Sequence, residues 1–315
     1  MVLATALLGL LILGSSSAQT FGVAFSYGGS PEPEVQLREL DLGQATLDLR
    51  VADGVTGPLE LGAAVRFRST FGPLGTVSAV GHADLDTVGA FELGADASGA
   101  LAATGLDATI NVFNRNPGAF APTAAYALGS RPFFLPTEEN VGVGAYLAVG
   151  ATQRLGRTLL LTATPKLSYQ PGLGLGAGFD ARLQLRRLLE SDNGVVLLEG
   201  NTGPGAGRAF VAAGAEYQLN RRGLPSLTGA LLLGSGSAGV RPGFRGSAAG
   251  EVARFSYRAG VSAEPYLETA PPYRANLALG TVLGPGALGI EFGAALENDF
   301  DVPPALLRAS YALRF

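Results

Sequence analysis

The sequence predicts an all-β chain, an antiparallel transmembrane β-barrel of about 14 to 18 strands, best read as 16 to 18, behind a cleaved leader. Three observations predict it. Apolar and polar residues alternate with a period of two in one segment after another, and turn-forming clusters separate those segments. With 46 Gly, 47% hydrophobic and 15% charged residues, the chain is too apolar for disorder, yet it holds no block after the leader long enough for a spanning helix. Alternation reconciles these facts, because a barrel wall needs an apolar residue only at every second position.

The leader comes first. Val2 to Gly14 is an apolar run of signal-peptide length, and Ser16-Ser17-Ala18 offers the small-x-small pattern for a cut before Gln19. No Lys or Arg precedes the run, which departs from the usual charged start. The run falls short of the ~20 residues a spanning helix needs. The expected division is therefore residues 1–18 as signal peptide and 19–315 as barrel.

The alternating segments follow in chain order. Phe21, Val23, Phe25 and Tyr27 alternate with Gly22, Ala24 and Ser26. Leu59, Leu61, Ala63, Val65 and Phe67 alternate with Glu60, Gly62, Ala64, Arg66 and Arg68, a two-faced pattern that a helix would scatter. Leu106 to Val112 and Val141 to Gly150 repeat the period, and Leu173 to Arg186 carries it over a long strand with Asp180, Arg182 and Gln184 on one face. Ala253 to Ser262 and Leu288 to Glu297 complete the clear set.

Between them lie Ala52-Asp53-Gly54, Asn114 to Gly118, Ser191 to Gly194, Asn220 to Gly223 and Gly284-Pro285-Gly286. Gly supplies positive φ, Pro presets it and Asx side chains close their own turns, so these are hairpin connections and neighbouring strands are antiparallel. Counting back from the C-terminus, with one bulged strand between about Glu34 and Val51, reaches roughly 18 strands of ~10 residues. Merging the weak segments Val195–Glu199 or Val240–Phe244 lowers the count to about 16 or 14. The threading sorts the connections by sign. Arg115, Arg154, Arg157, Arg186, Arg187, Arg221 and Arg222 fall on the side of Arg314. Glu32, Glu34, Glu138, Glu139, Glu264, Glu268, Glu297, Asp299 and Asp301 fall on the other, with the longest connections, near 128–140 and 263–273.

The last segment carries a resemblance. Leu307, Ala309, Tyr311, Leu313 and Phe315 share one face, and Leu306, Arg308, Ser310, Ala312 and Arg314 the other. A strict two-residue period ending on Phe resembles the closing strand of bacterial outer-membrane β-barrels, and the mature chain as a whole resembles porin-type proteins. The resemblance implies the outer membrane of a diderm bacterium, outer-membrane lipid around the wall, and assembly machinery that reads Tyr311, Leu313 and Phe315. Trimers are common in such families; nothing in the sequence marks a subunit interface. Aromatics are only 8% with no Trp, so interfacial girdles have to be built sparsely from Tyr and Phe.

If one face meets lipid, the other lines an interior. It holds Asp48, Arg50, Glu60, Arg66, Arg68, Asp180, Arg182, Gln184, Arg186, Glu216, Arg254, Arg258, Arg274, Glu291 and Arg308. Barrels of this size leave a water-filled lumen, so the expected function is passive diffusion of small polar solutes, with a mild anion preference from the Arg-rich wall. The competing reading is an envelope barrel without channel activity, a structural anchor or a surface-binding protein. An enzyme is not expected: the one histidine, His82, shares a face with Ser78 and Asp84, but Ser78 and His82 are ~13 Å apart along an extended strand. Gly172, Gly174, Gly176 and Gly178 lack the spacing and following helix of a nucleotide loop. No Cys or His clusters suggest a metal, the acidic stretch Glu297 to Asp301 reads as a solvated loop, and no cofactor is implied. With net charge -4 and a single lysine, Lys166, nothing points to nucleic acid.

Overall fold

The structure, a computed structural model, describes residues 20–53, 58–72, 75–114, 123, 126–128, 142–189, 191–202, 209–267, 271–296 and 303–314. The proposed leader, Phe315, Arg115, Glu138, Glu139, Glu268, Glu297, Asp299 and Asp301 lie outside the described residues. No described helix is long and apolar enough to cross a membrane.

The alternating segments become strands β1 (Thr20–Tyr27), β2 (Pro31–Asp41), β3 (Ala45–Asp53), β4 (Leu59–Thr70), β5 (Thr76–Asp86), β6 (Phe91–Leu101), β7 (Thr104–Phe113), β8 (Gly144–Leu155) and β9 (Leu159–Gln170). The second half continues with β10 (Gly174–Leu189), β11 (Asp192–Thr202), β12 (Phe210–Leu219), β13 (Ser226–Gly236), β14 (Gly239–Val252), β15 (Phe255–Ala263), β16 (Tyr273–Leu283), β17 (Gly286–Leu296) and β18 (Ala305–Arg314). Each strand pairs antiparallel with the next, and β1 also pairs with β18, from Thr20↔Arg314 to Tyr27↔Leu307. The 18-stranded sheet is thereby closed, with no free edge to leave backbone groups unpaired.

The span read as one bulged strand between Glu34 and Val51 is two strands, β2 and β3, joined at Leu42-Gly43-Gln44. The bulge is real and lies inside β2, where the register slips between Leu37 and Leu40 and Glu39 takes φ 60°. It returns Leu40 to the outer face, which a plain period of two would have turned inward. A second slip, between Leu185 and Leu189 with Arg187 at φ 58°, ends the long alternation of β10. The weak segments Val195–Glu199 and Val240–Phe244 belong to β11 and β14.

Cross-strand partners share a face, so the register sorts every side chain. Leu231 is 75% exposed and Leu175 72%, both outward, whereas the inward neighbours Ala230 and Leu232 are 3% and 5% exposed. Outward aromatics gather toward the two rims. Phe25, Tyr27, Phe91, Tyr169, Tyr273 and Phe292 stand near one end, and Phe21, Phe67, Tyr217, Phe255, Tyr257 and Tyr311 near the other. The sparse girdles anticipated from composition are thus assembled by register rather than by abundance.

Both described ends of the chain, Thr20 and Arg314, stand at one rim, and the connections after β7, β15 and β17, the longest, leave from the opposite rim. Arg154, Arg157, Arg186, Arg187, Arg221, Arg222 and Arg314 lie at the terminal rim, as threaded. β7, the strand before Arg115, ends at the long-loop rim, whereas the threading put Arg115 on the terminal side.

Candidate pore lining

The inner face is built from the strand positions that the alternation leaves polar. Arg50, Glu60, Arg66, Arg68, Asp180, Arg182, Glu216, Arg258, Arg274, Glu291 and Arg308 all have inward register. Arg186 stands in the β10 irregularity at the terminal rim, between the paired positions Leu185 and Leu189, and no register pair fixes its face. Arg254 does not line the lumen. It sits in the two-residue turn between β14 and β15, with its guanidinium 5.5 Å from the centroid of the outward Phe255 ring. Glu34, read as a loop acid, is a lumen residue of β2.

Glu34 is the hinge of an ionic ladder across the closure seam. Its carboxylate receives Arg308 at 3.1 Å and Arg50 at 3.6 Å. Arg308 also meets Glu291 at 3.7 Å, while Arg50 meets Glu60 at 2.9 Å and Asp84 at 3.6 Å. The ladder runs from β17 to β5. Arg308 reaches Glu34 over β1 because the inward residues of β1 are Gly22, Ala24 and Ser26, too short to obstruct it. Gly62 gives similar passage on β4, where a Cβ would stand 2.5 Å from Asp84 Oδ1. Arg66 pairs with Asp48 at 2.9 Å, and Lys166 with Asp180.

A second cluster holds a connection inside the barrel. After β15 the chain turns inward, so that Glu264 and Tyr266 are fully buried and Leu267 is buried beside them. Tyr266 and Leu267 pack on Val195, Leu197, Phe210, Ala212, Ala230 and Leu232 of the inner wall. The ring can lie there because Gly234 and Gly243 stand beneath it; a Cβ on either would come within 2.1 and 2.6 Å of ring atoms. Glu264 accepts from Arg245 Nε at 2.6 Å and Arg274 Nη2 at 2.7 Å, and Arg245 also pairs with Glu199. Four charges out of water are tolerable only because each faces an opposite one.

Arg274 ties in the other long connection as well. Its Nη1 donates to the Ala127 carbonyl, and Asn276 Nδ2 donates to the Tyr126 carbonyl at 2.8 Å. Tyr126, 1% exposed, lies over Gly293 beside Ala295 and Leu306, and its hydroxyl donates to the Pro303 carbonyl at 2.7 Å. Burial holds both loop phenols, Tyr126 and Tyr266, above the ordinary tyrosine range; at Tyr266 the Glu264 carboxylate adds to it. Thus segments 126–128 and 264–267 narrow the lumen from the long-loop rim.

The remaining wall is uneven. β5 to β7 present Asp84, Glu92, Asp96 and Asp107, relieved by His82, whose Nε2 is 3.9 Å from Glu92. Half the circumference away, β14 to β16 present Arg241, Arg245, Arg258 and Arg274. Sequence reading missed Glu34, Glu92, Asp96, Asp107, Lys166, Glu199, Arg245, Glu251 and Glu264 as wall or lumen residues. Parity along β6, β7, β11 and β14 was the signal that could have placed most of them; nothing local marks Glu264, which reaches the lumen by a loop. Among the described residues His82 pairs with Glu92 rather than with a serine, and no group of His, Asp and Glu there could hold a metal ion.

A closed antiparallel cylinder with an apolar outer belt, exposed except over Val35, Leu37, Leu40 and Val51 of β2 and β3, with aromatics at both rims and a charged inner wall, defines the class: a transmembrane β-barrel. No family model matches the sequence, and no curated protein sequence matches it. Among solved structures the chain is similar to engineered variants of the Rhodopseudomonas blastica porin. One is 12% identical with a TM-score of 0.46, and a triple mutant is 12% identical with a TM-score of 0.45. Each comparison covers 95% of this chain and 99% of the other. At that distance the assignment to a class rests on the strand pairing of this chain itself.

Proposed function

We propose that this protein is a water-filled diffusion pore for small polar solutes in the outer membrane of a diderm bacterium. The carrying observation is the inner wall. Ionic side chains line it from rim to rim, and Arg68, Arg182 and Arg258 have side chains without an ion-pair partner among the described residues. Unpaired guanidinium groups in a packed interior would be prohibitively desolvated, so this face is wet. Among the described residues, segments 126–128 and 264–267 lie against the inner wall and narrow the passage. The mild anion preference anticipated from the Arg-rich list is offset once Glu34, Asp84, Glu92, Asp96 and Asp107 join the lumen. We therefore expect weak selectivity leaning to cations.

Purified, refolded protein in planar bilayers tests this. Stepwise conductance, with a reversal potential of small cation-selective sign in a salt gradient, is the expected result. A folded, heat-modifiable protein that stays silent would overturn it and favour the envelope anchor, the reading to which the two inward-folded segments lend support. On this reading Tyr311 and Leu313, which face outward on β18, serve with Phe315 as the signal to the assembly machinery. Appending a polar tail after Phe315 should then reduce insertion in cells without affecting refolding in detergent.

A further inference from the structure

We propose that the cavity beside Arg258 is a subsite for a small carboxylate-bearing solute. The inference rests on the diffusion-pore reading and names what that pore retains in passing. Beneath segment 126–128 lies a cavity of about 440 Å³ whose wall is formed by β14 to β17 and which includes Arg258, Asn276 and Glu291. That is within the size range of small-molecule sites.

Its shape follows from two rows of small residues. Ala249, Arg258, Ala278 and Glu291 stand side by side on successive strands, and Ser247, Gly260, Asn276 and Gly293 form the next row. Both direct neighbours of Arg258 are therefore alanines, so no acid faces it across either ladder. The charged groups nearest in register are Glu251, a diagonal neighbour on β14, and Glu291, two strands and ~10 Å away. Neither pairs with it, and Glu291 is engaged by Arg308 at 3.7 Å. Arg258 thus presents a planar, permanently charged fork of donors to a cavity lined by alanines and Leu128, with Asn276 in the next row and the one carboxylate, Glu291, two strands away and offset by Arg308. A carboxylate takes such a fork through two parallel hydrogen bonds, and its short apolar body fits against Ala249, Ala278 and Leu128.

Butyrate is the probe, with butylammonium as the control of opposite charge. In bilayers butyrate should reduce the potassium chloride current in a saturable manner and butylammonium should not. Arg258→Gln should raise the half-saturating butyrate concentration by about tenfold, the loss expected for a charge-assisted pair. Ala278→Leu, which fills the cavity and leaves every charge in place, should do the same and serves if Arg258→Gln fails to fold. Conducting wild type that butyrate does not block, or block unchanged in both variants, overturns the subsite and leaves the pore reading intact. If wild type is silent, the pore reading falls, and broadening of butyrate resonances by the micellar protein decides the subsite: broadening abolished by Ala278→Leu upholds it, and no broadening ends it.

Discussion

Removal of one ring should open the passage without unfolding the wall. Tyr266 is fully buried against the inner face, its ring centroid 6.3 Å from that of Phe210. A buried aromatic of this size covers roughly 200 Å², which at about 25 cal/mol per Å² is worth up to ~5 kcal/mol. Because real unfolded references are partly compact, ~3–4 kcal/mol is the better figure for Tyr266→Ala. At 1.4 kcal/mol per factor of ten, segment 264–267 would shift toward its detached state by roughly 100- to 1,000-fold. The strand pairings are untouched, so the barrel itself should persist. The chain has no cysteine, which makes a single reporter clean. Leu267→Cys is buried in the attached loop, and its maleimide labelling rate reports detachment. We expect the rate to rise about 100-fold or more when Tyr266→Ala is added, with larger single-channel conductance and unchanged heat-modifiable migration. Labelling rates within a factor of two of each other would refute the account of how this segment is held.

Other outcomes follow from the same geometry. Glu34→Gln leaves Arg308 and Arg50 without their shared carboxylate at the closure seam; the midpoint of heat-induced unfolding in detergent should fall, by a loss of about 1–3 kcal/mol. Ala253 sits at φ 54° in the β14–β15 turn, a conformation that costs a side-chain-bearing residue about 1 kcal/mol, so Ala253→Gly should raise that midpoint. The raised phenols of Tyr126 and Tyr266 give stability that is complete below the ordinary tyrosine pKa of about 10 and lost as pH climbs through their folded values. Unfolding midpoints should therefore decline above pH ~10, and Tyr126→Phe should flatten part of that decline while lowering the neutral-pH midpoint through loss of the bond to Pro303.

Local pattern made the wall legible. A strand's side chains alternate by geometry, so the order of residues along β4, β10 or β15 states which of them share a solvent, and Arg66, Asp180 and Arg258 were readable as inward from their neighbours alone. Gly and Pro clusters likewise reported most turns. The pattern failed where the backbone left its period: at Glu39 in β2, which hid a hairpin, and at Arg254, which a turn removed from the face its parity indicated.

What the sequence by itself determined is the sorting of side chains into two solvents, because that depends on covalent spacing of two residues and nothing else. Which inward residues meet, and what lies in the lumen, only the tertiary structure decided. Arg308 finds Glu34 across the seam through closure of β1 on β18, residues 274 apart in the chain. Glu264 and Tyr266 enter the lumen because the nearby strands β14 and β16 supply Arg245 and Arg274, Gly234 and Gly243 leave a floor, and the more distant β11 and β12 supply Val195, Leu197, Phe210 and Ala212. Such meetings are set by register and by the path of loops, which bring together groups whose separation along the chain carries no periodic signature.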